Sequence, residues 1–250
     1  MEEKRPFDEA AFASILQKTF AENGLSKYLS FEKVQTFVVL TRHLLEENAK
    51  YNLTAIKEPD KIALLHYADC VSMAASLPKG ARVIDVGCGA GFPSLPLAIV
   101  RPDLTILAVD STEKRVRYVR DTAEMLGLTN ITCQVMRAED GGRDPLYREQ
   151  FDIATARAVA ELRVLAELCL PFVKVGGELV AMKGRNAAFE LASAKRALAI
   201  LGGRTAQIDE TPLKSSALGE QAHTLIRIVK DKHTPPAYPR PYAQISKKPL

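Results

Sequence analysis

The stretch that most constrains this chain is Ala81 to Pro93, ARVIDVGCGAGFP. Arg82, Val83, Ile84 and Val86 give a β-branched run suited to a buried strand. Gly87, Gly89 and Gly91 follow at alternate positions, where a chain leaving a strand must turn sharply and bring its backbone close to a ligand with no Cβ between them. Pro93 to Val100 is apolar enough to pack as a helix on a sheet, and a proline suits its first turn. Strand, glycine loop and helix in that order form a unit for a nucleotide-like ligand.

The spacing narrows the ligand. A dinucleotide fold favours Gly-x-Gly-x-x-Gly with a pyrophosphate on the helix N-terminus, whereas here the run is Asp85-x-Gly87-x-Gly89-x-Gly91. An acid two residues before the first glycine sits badly beside a diphosphate but suits an ammonium and a sulfonium, which points to S-adenosyl-L-methionine. Asp110 ends the next apolar run, Leu104 to Val109, 23 residues after Gly87. At the tip of a second strand its carboxylate accepts both ribose hydroxyls, a role common to NAD and S-adenosylmethionine sites.

Four cysteines, Cys70, Cys88, Cys133 and Cys169, are scattered without a CxxC pair, so neither a zinc site nor a disulfide framework is expected. The opening MEEKRPFDEA is acidic and lacks an apolar core, so no signal peptide is expected. No uncharged apolar run approaches the roughly 18 residues of a membrane span. A cytoplasmic protein without a membrane partner is the expectation. Net charge is +4, and the last thirty residues hold six Lys/Arg against one acid, so the basic excess sits at the C-terminus. Such a tail suits a polyanionic partner.

Taken in order, residues 7 to 23 and 30 to 48 read as helices, the second with Ser30 as N-cap and Val34, Phe37, Val38, Thr41, Leu44 and Leu45 on its apolar face. Pro59 opens a third helix running to about Ser76. His66 and Asp69 lie three apart on it, and without a third ligand they read as packing residues rather than a metal pair. Residues 1–80 form a helical cap. From Ala81 strand and helix alternate, with strands near 81–86, 104–109, 131–136, 151–156 and 178–183, giving a mainly parallel sheet with helices on both faces. Residues 205–211 and 222–230 close this 81–230 core as a strand pair, and 231–250 is a basic proline-rich tail.

Ligands sit at the carboxyl ends of such strands. Ala138 and Glu139 follow the third strand, where an acid accepts the adenine amino group. Arg157 follows the fourth and suits a carboxylate or phosphate, or an internal ion pair. Lys183 ends the fifth strand and meets RNA phosphate if the partner is RNA. The tail interleaves Tyr238 and Tyr242 with Arg240, Lys247 and Lys248, a pattern that serves stacking and phosphate contact or else a poorly ordered end.

These pieces together resemble the bacterial ribosomal RNA small subunit methyltransferase G family, also called glucose-inhibited division protein B. The resemblance is carried by NLTAI at Asn52 to Ile56, His66 with Asp69, VIDVGCGAGFPSLPLAI at Val83 to Ile99, and KRVRYVR at Lys114 to Arg120. It continues in AE at Ala138 and Glu139, ARA at Ala156 to Ala158, KG at Lys183 and Gly184, and KKPL at Lys247 to Leu250. It implies a Rossmann-like class I S-adenosylmethionine-dependent methyltransferase with an N-terminal helical cap, acting on N7 of a guanine in 16S ribosomal RNA or the small ribosomal subunit. It also implies that Gly87, Phe92, Ala138, Glu139 and Arg157 hold the cofactor, with Asp110 and Ser111 at the ribose.

Guanine N7 carries an in-plane lone pair and no proton, so methylation there needs alignment rather than deprotonation. No general base and no metal are therefore expected. Nothing in the sequence suggests an obligate dimer, and a monomer is expected. The rival readings are a small-molecule methyltransferase, for which the tail is dispensable, and a non-catalytic RNA-binding assembly protein that kept the pocket. An NAD oxidoreductase is disfavoured by the glycine spacing.

Overall fold

The computed structural model describes residues 7–250; the first six, MEEKRP, part of the opening in which no signal peptide is expected, lie outside the described residues. Two helices open the chain, α1 (Glu9–Glu22) and α2 (Phe31–Tyr51), each begun by a side-chain cap from Asp8 and Ser30. Helix α2 runs three residues beyond its expected end, to Tyr51, and the left-handed backbone of Asn52 (φ +51°) stops it. A third helical stretch is composite. It comprises α3 (Pro59–Lys61), a π-helical segment Ile62–Ala68, α4 (Asp69–Ser72) and a 3₁₀ turn Met73–Ser76.

The core strands are β1 (Arg82–Val86), β2 (Thr105–Asp110), β3 (Ile131–Val135), β4 (Phe151–Arg157) and β5 (Val173–Lys183). Their connections carry α5 (Ser94–Val100), α6 (Glu113–Met125), α7 (Ala138–Gly141) and α8 (Leu162–Cys169). Helix α9 (Ala187–Leu201) leads to β6 (Gly203–Asp209), a hairpin of β7 (Leu213–Ser215) and β8 (Gly219–Gln221), then β9 (Thr224–Lys230) and α10 (Tyr242–Lys247). The seven-stranded sheet has the order β3-β2-β1-β4-β5-β9-β6. Strands β1 to β5 are parallel, and β9 joins β5 and β6 antiparallel.

Because β2 and β3 lie on one side of β1 while β4 and β5 lie on the other, the strand order reverses between β1 and β4. A crevice opens there at the carboxyl ends. One face of the sheet packs with α1, α2 and the composite helix, burying Phe12, Phe37 and Tyr67 with Val83 and Met182 in one cluster. The opposite face packs with α8 and α9 through Leu165, Leu168 and Leu198, and Ile245 of α10 joins it. This is the α/β architecture with helices on both faces that the sequence implies. Among the described residues no helix is long and apolar enough to cross a membrane.

Three further elements depart from the sequence expectation. The fifth strand begins at Val173 rather than near 178, with an irregularity that pairs Phe151 with Val173 and then Ile153 with Glu178. Gly176, with φ +85°, accommodates it. Pro93 sits just before α5 rather than inside its first turn. The tail 231–250 is neither free nor poorly ordered. Arg148 donates to Tyr238 O (2.9 Å) and Thr234 O (2.6 Å), and Arg143 to Pro239 O (2.7 Å). Arg240 places Nε (2.8 Å), Nη2 (2.6 Å) and its own amide (2.9 Å) on Glu167 of α8.

Glu167 is wholly buried, so removing its partner strands a charge away from water. Arg240→Ala is expected to lower unfolding free energy by about 3–5 kcal/mol, with Arg240→Leu plus Glu167→Leu recovering most of it. Urea unfolding of the wild type and both variants checks this, and a loss below about 1 kcal/mol for the alanine variant, the level of a surface pair, contradicts it.

Candidate functional site at the switch point

The glycine loop is shaped by one carbonyl. Val109 O, at the end of β2, accepts from both Gly87 N (2.8 Å) and Cys88 N (2.9 Å) and so draws the end of β1 across β2. Gly87, Gly89 and Gly91 take φ of +79°, +55° and +84°, which L side chains rarely adopt. A Cβ on Gly87 would also sit 2.8 Å from Val159 Cγ2. The next residue, Asp110, takes Gly89 N on Oδ2 (3.2 Å) and Thr112 N on Oδ1 (2.8 Å), with Arg115 at 3.5 Å. Its carboxylate is thereby fixed at the rim of the crevice.

A cavity of ≈ 540 Å³ fills the crevice, within the range of small-ligand sites. Of the residues nominated by the sequence, Gly87, Gly89, Phe92, Asp110, Ser111, Ala138, Glu139 and Arg157 line it. Glu139 is held by Arg137 Nε at 2.8 Å. Gly91 does not line it. A Cβ there would press to 2.5 Å from Leu95 Cδ1, so this glycine serves the close packing of α5.

Asp85, placed by the sequence against the ligand's ammonium, lies beneath the loop instead of on the cavity wall. It is fully buried, and its Oδ2 accepts from Ser94 N (3.2 Å) and the Ser94 hydroxyl, while Oδ1 has no partner. Burial pushes its carboxyl up to about 6, against the opposing hydrogen bonds from Ser94.

Arg157 takes the internal ion pair of the two readings and stands on the cavity wall as well. Its Nη1 donates to Leu65 O (2.7 Å) and Asp69 Oδ2 (3.1 Å), and Nη2 lies 3.2 Å from His66 Nδ1. Asp69 Oδ1 takes His223 Nδ1 at 2.7 Å. The arginine therefore forms an internal ion pair and also walls the cavity. His66 stacks on Phe92 with centroids 4.3 Å apart, and Arg157 lies over the same ring. Burial and then the neighbouring Arg157 charge lower His66 to about 3, so the ring is neutral at physiological pH.

Several wall residues escaped the sequence reading. Thr54, from the NLTAI stretch, reaches the cavity because Asn48 brackets it with bonds to its carbonyl (2.9 Å) and amide (2.8 Å); its hydroxyl meets His66 Nε2 at 2.9 Å. Asn48 three residues before a helix end was the available signal. Ala158 (φ +54°) and Val159 line the wall after β4, and an alanine gives no sign of left-handed backbone. Tyr242, from the tail, also lines it.

Of the four residues nominated for RNA, Arg240, Lys247 and Lys248 stay together on the tail, with Arg240 Nη1 donating to Lys248 O (3.2 Å), while Lys183 lies at the end of β5. Lys183 Nζ is turned inward to Ala160 O (2.6 Å) and Glu190 (2.7 Å). Arg240 is committed to Glu167, as above. Lys247 and Lys248 are exposed on the tail.

A parallel sheet with its glycine loop and rim carboxylate at the switch point defines a Rossmann-like α/β fold of the methyltransferase class. A SAM-dependent methyltransferase from Aquifex aeolicus shares it, with TM-score 0.52 and 19% identity over 74% of this chain and 98% of that one. The family model described as rRNA small subunit methyltransferase G matches residues 33–218. The Ribosomal RNA small subunit methyltransferase G of Clostridium perfringens strain 13 is 43% identical over 88% of this chain and 91% of its own length. That of Lactobacillus delbrueckii subsp. bulgaricus (strain ATCC BAA-365) is 44% identical over 92% and 98%. The chain belongs to the rRNA small subunit methyltransferase G family, as its sequence motifs imply.

The buried acid yields a pH test. With its folded value raised above the ordinary carboxylate value, Asp85 favours folding most at low pH, and that contribution is lost as pH rises from about 4 through about 6. Relative to Asp85→Asn, the wild-type chain is expected to lose on the order of 3 kcal/mol of stability across that interval. Urea titrations of both proteins at several pH values read the difference, and a flat or rising difference contradicts the burial.

Proposed function

We propose that a single copy of this chain transfers a methyl group from S-adenosylmethionine to N7 of a guanine in 16S ribosomal RNA. The observation that carries the reading is a pair of adjoining cavities at the switch point. The larger has the glycine loop and Asp110 on its wall; a second, of ≈ 420 Å³, shares Arg157, Ala158 and Val159 with it.

The larger cavity has the chemistry an adenosyl ligand needs. Asp110 offers a carboxylate already oriented by two backbone amides, suited to ribose hydroxyls, with Ser111 beside it. Ala138 and Glu139 stand at the end of β3, where backbone and carboxylate serve the adenine edge. Arg157 suits the ligand's carboxylate, since Leu65 O, Asp69 and His66 leave part of its five-donor guanidinium free. The bound cofactor supplies an electrophilic methyl on a sulfonium.

What remains for the protein is alignment. N7 of guanine presents its lone pair without losing a proton, and the wall between the two cavities offers no free base. His66 has Arg157 on one ring nitrogen and Thr54 on the other. Holding acceptor and methyl in contact, with water excluded by the stacked His66 and Phe92, is the catalytic contribution this geometry supports. Membership of the rRNA small subunit methyltransferase G family supports an rRNA acceptor, and the exposed Lys247 and Lys248 remain available to phosphate.

Small subunits from a strain lacking this protein, incubated with it and methyl-labelled cofactor, are expected to acquire label at one guanine N7 of 16S rRNA. Label on another base atom, or on a small molecule in the absence of RNA, overturns the assignment. Gly87→Asp, which forces a side chain into Val159 and a charge into the loop, is expected to abolish S-adenosylhomocysteine binding in calorimetry with the far-UV spectrum retained. Binding equal to wild type removes the loop from the site.

A further inference from the structure

We propose that the C-terminal segment is a component of the cofactor site, with the Tyr242 ring forming the outer wall on which the adenine rests; this rests on the S-adenosylmethionine reading above. Tyr242 lines the larger cavity, as do Met136, Ala138 and Leu168, and none of these four lines the second. Its side chain is 42% exposed. Among the described residues it stacks on no other ring and takes no part in any of the eight ring pairs. An unstacked ring at a cavity mouth has a free π-face, which is what a purine base requires.

The segment is also built to hold that ring in place. Arg240, two residues before it, is fixed by three bonds to the buried Glu167, and Ile245, three residues after it, is wholly buried among the residues of α8 and α9. Arg143 and Arg148 tie down the preceding Pro239 and Tyr238 through their carbonyls. A side chain ordered before the ligand arrives loses little freedom on binding. The basic composition that suggests a polyanion partner is partly spent within the fold, since Arg227, Lys230 and Arg240 each pair with a glutamate.

The test compares wild type, Tyr242→Ala and Tyr242→Phe by calorimetry with S-adenosylhomocysteine and with adenosine, alongside fluorescence anisotropy with a 16S rRNA fragment. The alanine variant is expected to bind both small ligands about tenfold more weakly, the value of one lost base stack. The phenylalanine variant is expected to match wild type, and rRNA affinity to stay within about twofold in all three. An alanine variant that binds S-adenosylhomocysteine like wild type, or one that loses rRNA affinity alone, overturns the role of Tyr242. A wild-type chain that binds neither small ligand overturns the cofactor reading and this proposal with it.

Discussion

Two amides on one carbonyl set the geometry of this protein. By accepting from both Gly87 and Cys88, Val109 O bends the chain off β1 at the place where the sheet changes direction. The glycines are the consequence, because the bent backbone passes through positive φ at Gly87, Gly89 and Gly91, where L side chains are strained. Asp110 follows Val109 directly, so the same bend that opens the crevice also carries a carboxylate to its rim. Strand order supplies the crevice and local backbone chemistry equips it.

The opposite wall depends on long-range electrostatics. Asp69 stands between Arg157 and His223, and Arg157 in turn contacts Leu65 O and His66. Helical residues before the sheet, the tip of β4 and the residue preceding β9 thus meet in one network. Its charges are paired and hydrogen-bonded, which is the condition for holding charge in a poorly hydrated place. The N-terminal helices are in this sense part of the site. The composite helix passes through a π-helical segment as it delivers His66 and Leu65 O, a distortion often found where helices serve function.

The sheet was legible because β-branched runs separated by glycine and polar turns carry period and boundary together. The glycine loop and Asp110 were legible because their chemistry is local. Helix α8 was less legible, since its polar pair Arg163 and Glu167 marks a single turn in a run of eight residues, and Glu167 is itself buried rather than facing water. The tail misled for a related reason. Arg240 reads as a surface cation until Glu167, 73 residues earlier, is brought beside it. Asp85 was assigned to the ligand from its spacing, but the loop folds over it and its carboxylate meets Ser94. Thr54 and Ala158 become visible only when the backbone is placed.

The central claim is that one crevice holds the methyl donor with its reactive end against the wall shared with the second cavity. A crystal structure of the chain with S-adenosylhomocysteine tests it most directly. The account predicts the ribose hydroxyls on Asp110, the adenine toward Ala138, and the sulfur at the Arg157 to Val159 wall facing the smaller cavity. A ligand bound outside this crevice, or one whose sulfur faces away from that wall, contradicts it.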